Sequence, residues 1–187
     1  MVGDRTNSSA LEVKRQLRSP AVNFEIREYH PDDLADVHAI NQGEVPRVGS
    51  ESIDALAHIA AESILAPVAI DTESGAVLGF AMVLGADADY GSDNYAWFRE
   101  RYADFVYLDR VAIPPTHQRR GIGRALYDYV GEHARTVRPA ATDWTLEVNL
   151  RPRNDPSLAF HAALGFVEVG QRETEYDALV SLMAKPL

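Results

Sequence analysis

The stretch Val106–Tyr129, VYLDRVAIPPTHQRRGIGRALYDY, decides the fold. DFVYLDRVAI (104–113) reads as a strand, and Pro114-Pro115 breaks it. RRGIGRALYDYVGEHAR (119–135) reads as a long helix with Leu126 and Val130 on one face. Between them lies the loop Gln118-Arg119-Arg120-Gly121-Ile122-Gly123. The first N–H groups of a helix are unpaired and carry the positive end of its dipole, so a loop opening a helix can hold phosphate oxygens. Gly121 and Gly123 let the main chain approach where a Cβ would obstruct, and Arg119, Arg120 and Arg124 add positive charge.

Upstream, AVNFEIREY (21–29) alternates, with Val22, Phe24 and Ile26 on one face, and reads as a strand. LADVHAI (34–40) follows Pro31-Asp32-Asp33 as a helix with acids in its first turn. ESIDALAHIAAESI (51–64) reads as a second helix capped by Ser50 or Ser52. APVAIDTESGAVLGFAMVLG (66–85) reads as a hairpin turning at Thr72–Gly75. Residues 85–103, GADADYGSDNYAWFRERYA, read as a long acidic and aromatic loop, a feature that often serves function.

Downstream, WTLEVNL (144–150) reads as a strand, and Asp155-Pro156 starts a helix, SLAFHAALGF, ended by Gly165. FVEVGQ and EYDALVSLMAKPL then read as a closing antiparallel pair, so the class is mixed α/β. Residues 1–20 are polar and irregular and read as a mobile tail or leader, with 21–187 as one folded domain.

The 187 residues carry 28 acids against 18 bases, a net charge of −10. Residues 1–100 hold 17 acids and 7 bases, whereas 101–187 hold 11 of each, so the whole excess lies in the first half. This balance argues against nucleic acid as an electrostatic partner. No apolar run reaches about 18 residues, and the first twenty lack the apolar stretch of a secretory signal, so the expectation is a cytoplasmic protein with no membrane partner. The absence of cysteine excludes disulfides, thiolate metal sites and cysteine nucleophiles.

Three nucleotide-binding patterns compete for the glycine loop. The Walker string GxxxxGK[ST] does not occur. A dinucleotide fingerprint needs Gly or Ala three positions after Gly123, where Leu126 stands, and expects the loop near the start of a βαβ repeat. The third pattern, [QR]-x-x-G-x-[GA] between a strand and a helix, matches Gln118–Gly123 in full. With it, LDRVAIPPTHQRRGIGRALYDYV and the later LEVNLRPRNDPSLAFHAALGF resemble the two most recognisable segments of the GCN5-related N-acetyltransferase (GNAT) superfamily, in the expected order. The resemblance spans residues 22–187 and is nearest to a subgroup of poorly characterised bacterial acetyltransferases.

The resemblance implies a single GNAT-like domain: a mixed, mostly antiparallel sheet, flanked by helices, whose parallel fourth and fifth strands splay apart. It places the pantetheine arm of acetyl-CoA in that split against main chain of Val111, Ala112 and Ile113. It places the pyrophosphate on Gln118, Arg119, Arg120, Gly121, Ile122, Gly123 and Arg124, and assigns Asn154 and Ser157 to the cofactor side. No metal is required. His161 stands where many members carry the tyrosine that protonates the CoA thiolate; it is either that acid, acting when charged, or a contact near the sulfur. Asp109 on the fourth strand is either a base toward the amine or an ion-pair member. By period two it shares a face with Tyr107 and Val111, which turns Arg110 the other way. Asn149 is expected to fix its loop and Glu147 to be structural.

Glu44, between the first two helices, either binds a cationic amine or is a solvated loop acid. Tyr95 and Trp97, with Tyr90 and Phe98, wall the acceptor pocket, meet a partner chain or fill the loop core. The function implied is acetyl transfer to a small-molecule amine or peptide amine, with a homodimer common in the superfamily. The alternative is a non-catalytic acyl-CoA-binding or regulatory module. The acidic first half supplies much of the acceptor side and favours a cationic amine.

Overall fold

β1 (Phe24–Glu28) opens the computed structural model, which describes residues 23–174 and 177–187. The expected tail, Val22, and Glu175 and Tyr176 lie outside the described residues. A 3-10 turn at Pro31–Asp33 leads into α1 (Leu34–Gly43). Arg27 fixes that turn with a two-pronged bond to Asp33, at 2.7 and 2.8 Å. α2 (Ile53–Glu62) begins at Ser52, whose Oγ accepts the Ala55 N–H at 3.1 Å. The chain then forms β2 (Ser63–Leu65), β3 (Pro67–Asp71) and β4 (Val77–Gly85).

The segment expected to be one long loop contains α3 (Asp93–Arg99), started by Ser92 Oγ accepting the Tyr95 N–H at 3.4 Å. β5 (Phe105–Ala112), α4 (Ile122–Val137), β6 (Asp143–Arg151), α5 (Asp155–Ala163), β7 (Val167–Glu173) and β8 (Leu179–Pro186) complete the order.

The sheet runs β1-β3-β4-β5-β6-β8-β7, with the short β2 also on β4. Every pairing is antiparallel except β5 with β6, which match from Phe105–Asp143 to Leu108–Leu146. Past that rung the two strands part. β5 stays on β4 as far as Ala112–Phe80, and β6 stays on β8 as far as Arg151–Leu179. The sheet is therefore split between the C-terminal ends of its two parallel strands, as expected.

Apolar side chains cover both sheet faces. Val106, Leu108, Trp144 and Leu146 pack with Tyr127 and Val130 of α4. On the other face Val37 and Leu56 of the first helices meet Phe80, and Tyr95 and Phe98 of α3 meet Phe105 and Tyr107.

One irregularity changes the expected facing of β5. The β4 register passes from Val83–Leu108 to Met82–Arg110, which leaves Asp109 as an extra, bulged residue. Beyond it the alternation shifts by one. Val111 packs on the α4 side, while Arg110 reaches Asn41 on α1. The expectation that Arg110 turns away from Asp109, and that Val111 shares its face, is thus corrected.

Candidate active site

The loop ahead of α4 is shaped by two left-handed residues, Arg119 at φ 59° and Gly121 at φ 90°. Gly121 is the N-cap and supplies no side-chain cap. Among the described residues, none of the six main-chain N–H groups from Arg119 to Arg124 meets an acceptor; helical pairing begins with Ala125 N–H to Gly121 O at 3.0 Å. Gln118 ties the loop to β5 by donating from Nε2 to Ile113 O at 2.7 Å. A Cβ on Gly123 would stand 3.3 Å from Ile113 Cδ1 and 3.7 Å from Phe160, so this glycine sits where β5, α4 and α5 converge. Arg124 is held along its own helix by Asp128, at 2.7 Å. Arg119 is exposed and Arg120 half-buried. Val111, Ala112 and Ile113 lie beside this loop, past the last β6 rung. Six free N–H groups and an unpaired strand edge fit the phosphates and amide arm of acetyl-CoA.

Asn154 caps α5: its Oδ1 accepts the Ser157 N–H at 3.3 Å, and its own N–H donates to Asn149 O at 3.0 Å. The Ser157 carbonyl accepts Nδ1–H of His161 at 2.7 Å. A carbonyl only accepts, so the proton is on Nδ1, and Nε2 accepts the Tyr127 O–H at 2.5 Å. His161 is 4% exposed, and burial lowers its pKa to about 4. At that pKa the histidine is neutral near pH 7, and with both nitrogens engaged it favours the contact over the charged proton donor, the two roles left open above.

On the opposite face, two carboxylates open the split. Asp109 accepts from the Tyr90 hydroxyl and from Arg110 Nε, the latter at 2.5 Å. Arg110 continues to Asn41 Oδ1 and Glu51 Oε1, each at 3.2 Å. Glu147 accepts from Tyr107 O–H at 2.7 Å and from Asn94 Nδ2 at 3.2 Å. Burial, with the charge of Asp109 adding to it, pushes the pKa of Glu147 up to about 7. Sequence reasoning set Glu147 aside as structural. The signal that marks it is an acid inside the apolar strand WTLEVNL, one residue past the splay.

A cavity of about 440 Å³ is lined by Glu51 and Ile59 on one side and by Tyr90, Ser92 and Asn94 on the other; Tyr90 and Asn94 are also the donors to Asp109 and Glu147. Tyr90 is the aromatic residue of the segment that reaches it. Tyr95 is fully buried with its hydroxyl donating to Gly85 O at 2.7 Å, so it fills the core beneath. Trp97 packs on Gly170 of β7 under the Arg101 guanidinium, 4.1 Å from the ring centre. Neither lines this cavity, and of the places left open for them both take the loop core. Glu44 is 4% exposed at the end of α1; its Oε2 accepts from Arg47 at 3.2 Å, and its buried Oε1 has no donor among the described residues. Asn149 reaches the same loop, donating to Pro46 O at 3.5 Å.

A profile of the acetyltransferase (GNAT) family matches residues 34–166. No curated protein is similar enough in sequence to count as a match. Among solved structures, the ribosomal-protein-S18-alanine N-acetyltransferase of Escherichia coli is 22% identical, with 88% of this chain and 94% of that one covered and a TM-score of 0.66. NAA60 of Arabidopsis thaliana, in complex with a bisubstrate analogue, is 19% identical over 88% and 98% of the two chains, with a TM-score of 0.69. A putative acetyltransferase of Salmonella typhimurium, yncA, with its cofactor acetyl-CoA, is 21% identical over 88% and 94%, with a TM-score of 0.63. At these identities the likeness establishes the fold.

Proposed function

The chain belongs to the acetyltransferase (GNAT) family, and on that footing we propose that it transfers an acetyl group from acetyl-CoA to a primary amine by direct attack on the thioester. One observation carries the reading. The split has six free N–H groups at one rim and, on its other face, a carboxyl group whose pKa lies near neutrality. The N–H groups from Arg119 to Arg124 bind the phosphates, and the free edge of β5 at Val111–Ile113 binds the amide arm. The amine comes from the face that holds Tyr90 and Asn94.

An ammonium has no lone pair, so its proton must leave before attack. Glu147, with a pKa of about 7, takes that proton through water, and Tyr107 and Asn94 hold its two oxygens. The nitrogen–carbon bond forms, the carbon–sulfur bond breaks with its electron pair going to the thiolate, and the proton that the nitrogen sheds on becoming an amide passes through water to that thiolate, leaving the amide and free CoA thiol. Asp109 positions Tyr90 and Arg110 rather than exchanging protons, because its charge is matched by the Arg110 guanidinium, whereas the partners of Glu147 are neutral. His161 acts as a contact that braces α5 on α4 through Tyr127.

The test is thiol release on mixing the protein with acetyl-CoA and a panel of amines. Turnover with any primary amine supports the proposal, and CoA binding with no release across the panel overturns it. That second outcome is the non-catalytic acyl-CoA module, favoured by one observation: both nitrogens of His161 are engaged, which leaves α5 without a free proton donor at this position.

A further inference from the structure

Resting on the role proposed above for Glu147, we infer that Arg172 is a positioning residue: it fixes the side-chain amide of Asn94 so that an N–H, and not the carbonyl oxygen, faces the base. Arg172 stands on the edge strand β7, opposite Val180 of β8, and its guanidinium crosses to the first turn of α3. There Asp93 pairs with Nη2, and Nη1 donates to Asn94 Oδ1 at 3.3 Å. The other end of the same amide, Nδ2, donates to Glu147 Oε1 at 3.2 Å.

The chemistry of the groups makes this order one-way. A guanidinium only donates, so the atom it meets must be the amide oxygen. The amide nitrogen is then left for Glu147, whose ionised carboxylate only accepts. Turning the amide over would set N–H against guanidinium and oxygen against carboxylate, two repulsive contacts. Asn94 is 7% exposed, so little water reaches either contact to relieve them. Asp93 anchors the guanidinium, Arg172 sets the amide, and the amide favours the ionised form of Glu147.

Among the described residues, the other groups facing Glu147 are Tyr107, Asp109 and Arg110 from β5, with Tyr90 beyond Asp109. Opposite it on β8 stands Leu182, which is apolar. Tyr107 gives its hydroxyl to Glu147, and Asp109 pairs with Arg110 and Tyr90. The side chain of Asn94 bonds only to Glu147 and Arg172 among the described residues, so the direction of its amide rests on Arg172. Without that guanidinium the amide is free to turn about its soft terminal torsion and offer its oxygen to a protonated carboxyl. Glu147 would then keep its proton to higher pH.

The experiment compares wild type with Arg172→Met, Arg172→Lys, Asn94→Leu and the double variant of Arg172→Met and Asn94→Leu. Two readouts follow Glu147: the pH at which acetyl transfer reaches half its maximum, and the pH range over which urea stability falls, which needs neither acetyl-CoA nor an amine. Arg172→Met is expected to move both upward by about one pH unit. Arg172→Lys, which also only donates, should stay close to the wild-type values. Asn94→Leu should shift both by itself, and adding Arg172→Met to it should shift them no further. Arg172→Ala runs beside Arg172→Met, so that the comparison stands if one of the two does not fold. An unshifted Arg172→Met protein overturns the inference. An equal further shift in the Asn94→Leu background also overturns it, because the guanidinium would then act by its charge and not through the amide. If the urea range moves as expected and no amine is acetylated, the positioning stands and acetyl transfer falls. If an amine is acetylated with a half-maximal pH that Arg172→Met leaves in place, acetyl transfer stands and the positioning falls.

Discussion

Asp109 and Glu147 are the first residues past the last rung joining the parallel strands, Leu108–Leu146, and both turn to the face covered by the first three helices. Their partners differ in charge. Asp109 holds the Arg110 guanidinium and the Tyr90 hydroxyl. Glu147 is bonded to a phenol and an amide, both neutral, and burial together with the charge of Asp109 raises it to about 7. Neighbouring acids with unequal partners divide the work: one is committed to structure and the other is free to exchange a proton near neutral pH.

Glu147→Gln tests that division. Acetyl transfer is expected to fall by roughly 10²–10⁴ in kcat, the usual worth of a general base, with the dissociation constant for CoA unchanged. The wild-type rate should climb as pH rises through about 7, because deprotonation creates the base, and the variant should lose that climb. Stability carries the opposite slope. The folded state holds the Glu147 proton up to about 7 and the unfolded chain releases it near 4.5, so stability falls as pH rises across that window. The glutamine variant removes this slope, which urea unfolding at pH 5 and pH 8 would show.

Tyr90→Phe leaves a buried oxygen of Asp109 without its donor, since the Asp109 side chain is only 3% exposed. The expected loss is about 1–3 kcal/mol of stability, read as a lower urea midpoint at an unchanged slope. An unchanged midpoint would mean that water replaces the hydroxyl.

Much of the site was legible because its parts are contiguous in the chain. The glycine loop, the strand before it and the helix after it form one run, and α5 with its Asn154 cap forms another. Three features were not. The bulge at Asp109 exists only in the register between β4 and β5, so period-two counting placed Arg110 on the wrong face. The proton affinity of Glu147 depends on Tyr107 and Asn94, residues 40 and 53 positions away, which no local pattern connects to it. α3 is only seven residues long, and the Gly, Ser and Asp before it masked its Ser92 cap. That short helix is also why Tyr95 turns into the core instead of the cavity.

Gly121→Val probes the phosphate cradle. A Cβ there meets nothing within 4 Å, so the penalty is conformational: φ of 90° is left-handed, and holding that region costs an L-residue roughly 1–2 kcal/mol, which the backbone escapes by turning. The variant is expected to fold with reduced stability and to bind CoA about tenfold or more weakly, because the N–H groups of Arg119–Arg124 turn with the backbone. Gly123→Ala should be milder, since its Cβ asks only a small shift of Ile113. Unchanged CoA affinity in a folded Gly121→Val protein would count against the cradle. Calorimetric titration separates these outcomes.

His161 makes a prediction in acid. Its folded pKa of about 4 lies below the usual 6.5, so as pH falls the unfolded chain takes up the proton first. The stabilisation is complete above 6.5 and is lost as pH drops toward 4, in total about 3 kcal/mol. His161→Phe should be less stable than wild type at pH 7.5, because Tyr127 loses its acceptor, yet should lose less stability between pH 7.5 and 4.5. Urea unfolding at the two pH values reads both effects. His161→Tyr separates bracing from chemistry: if α5 needs a proton donor, the tyrosine sustains acetyl transfer while phenylalanine does not. If His161 only braces α5 on α4, both variants turn over at rates that track their stability, and the thiolate takes its proton from water.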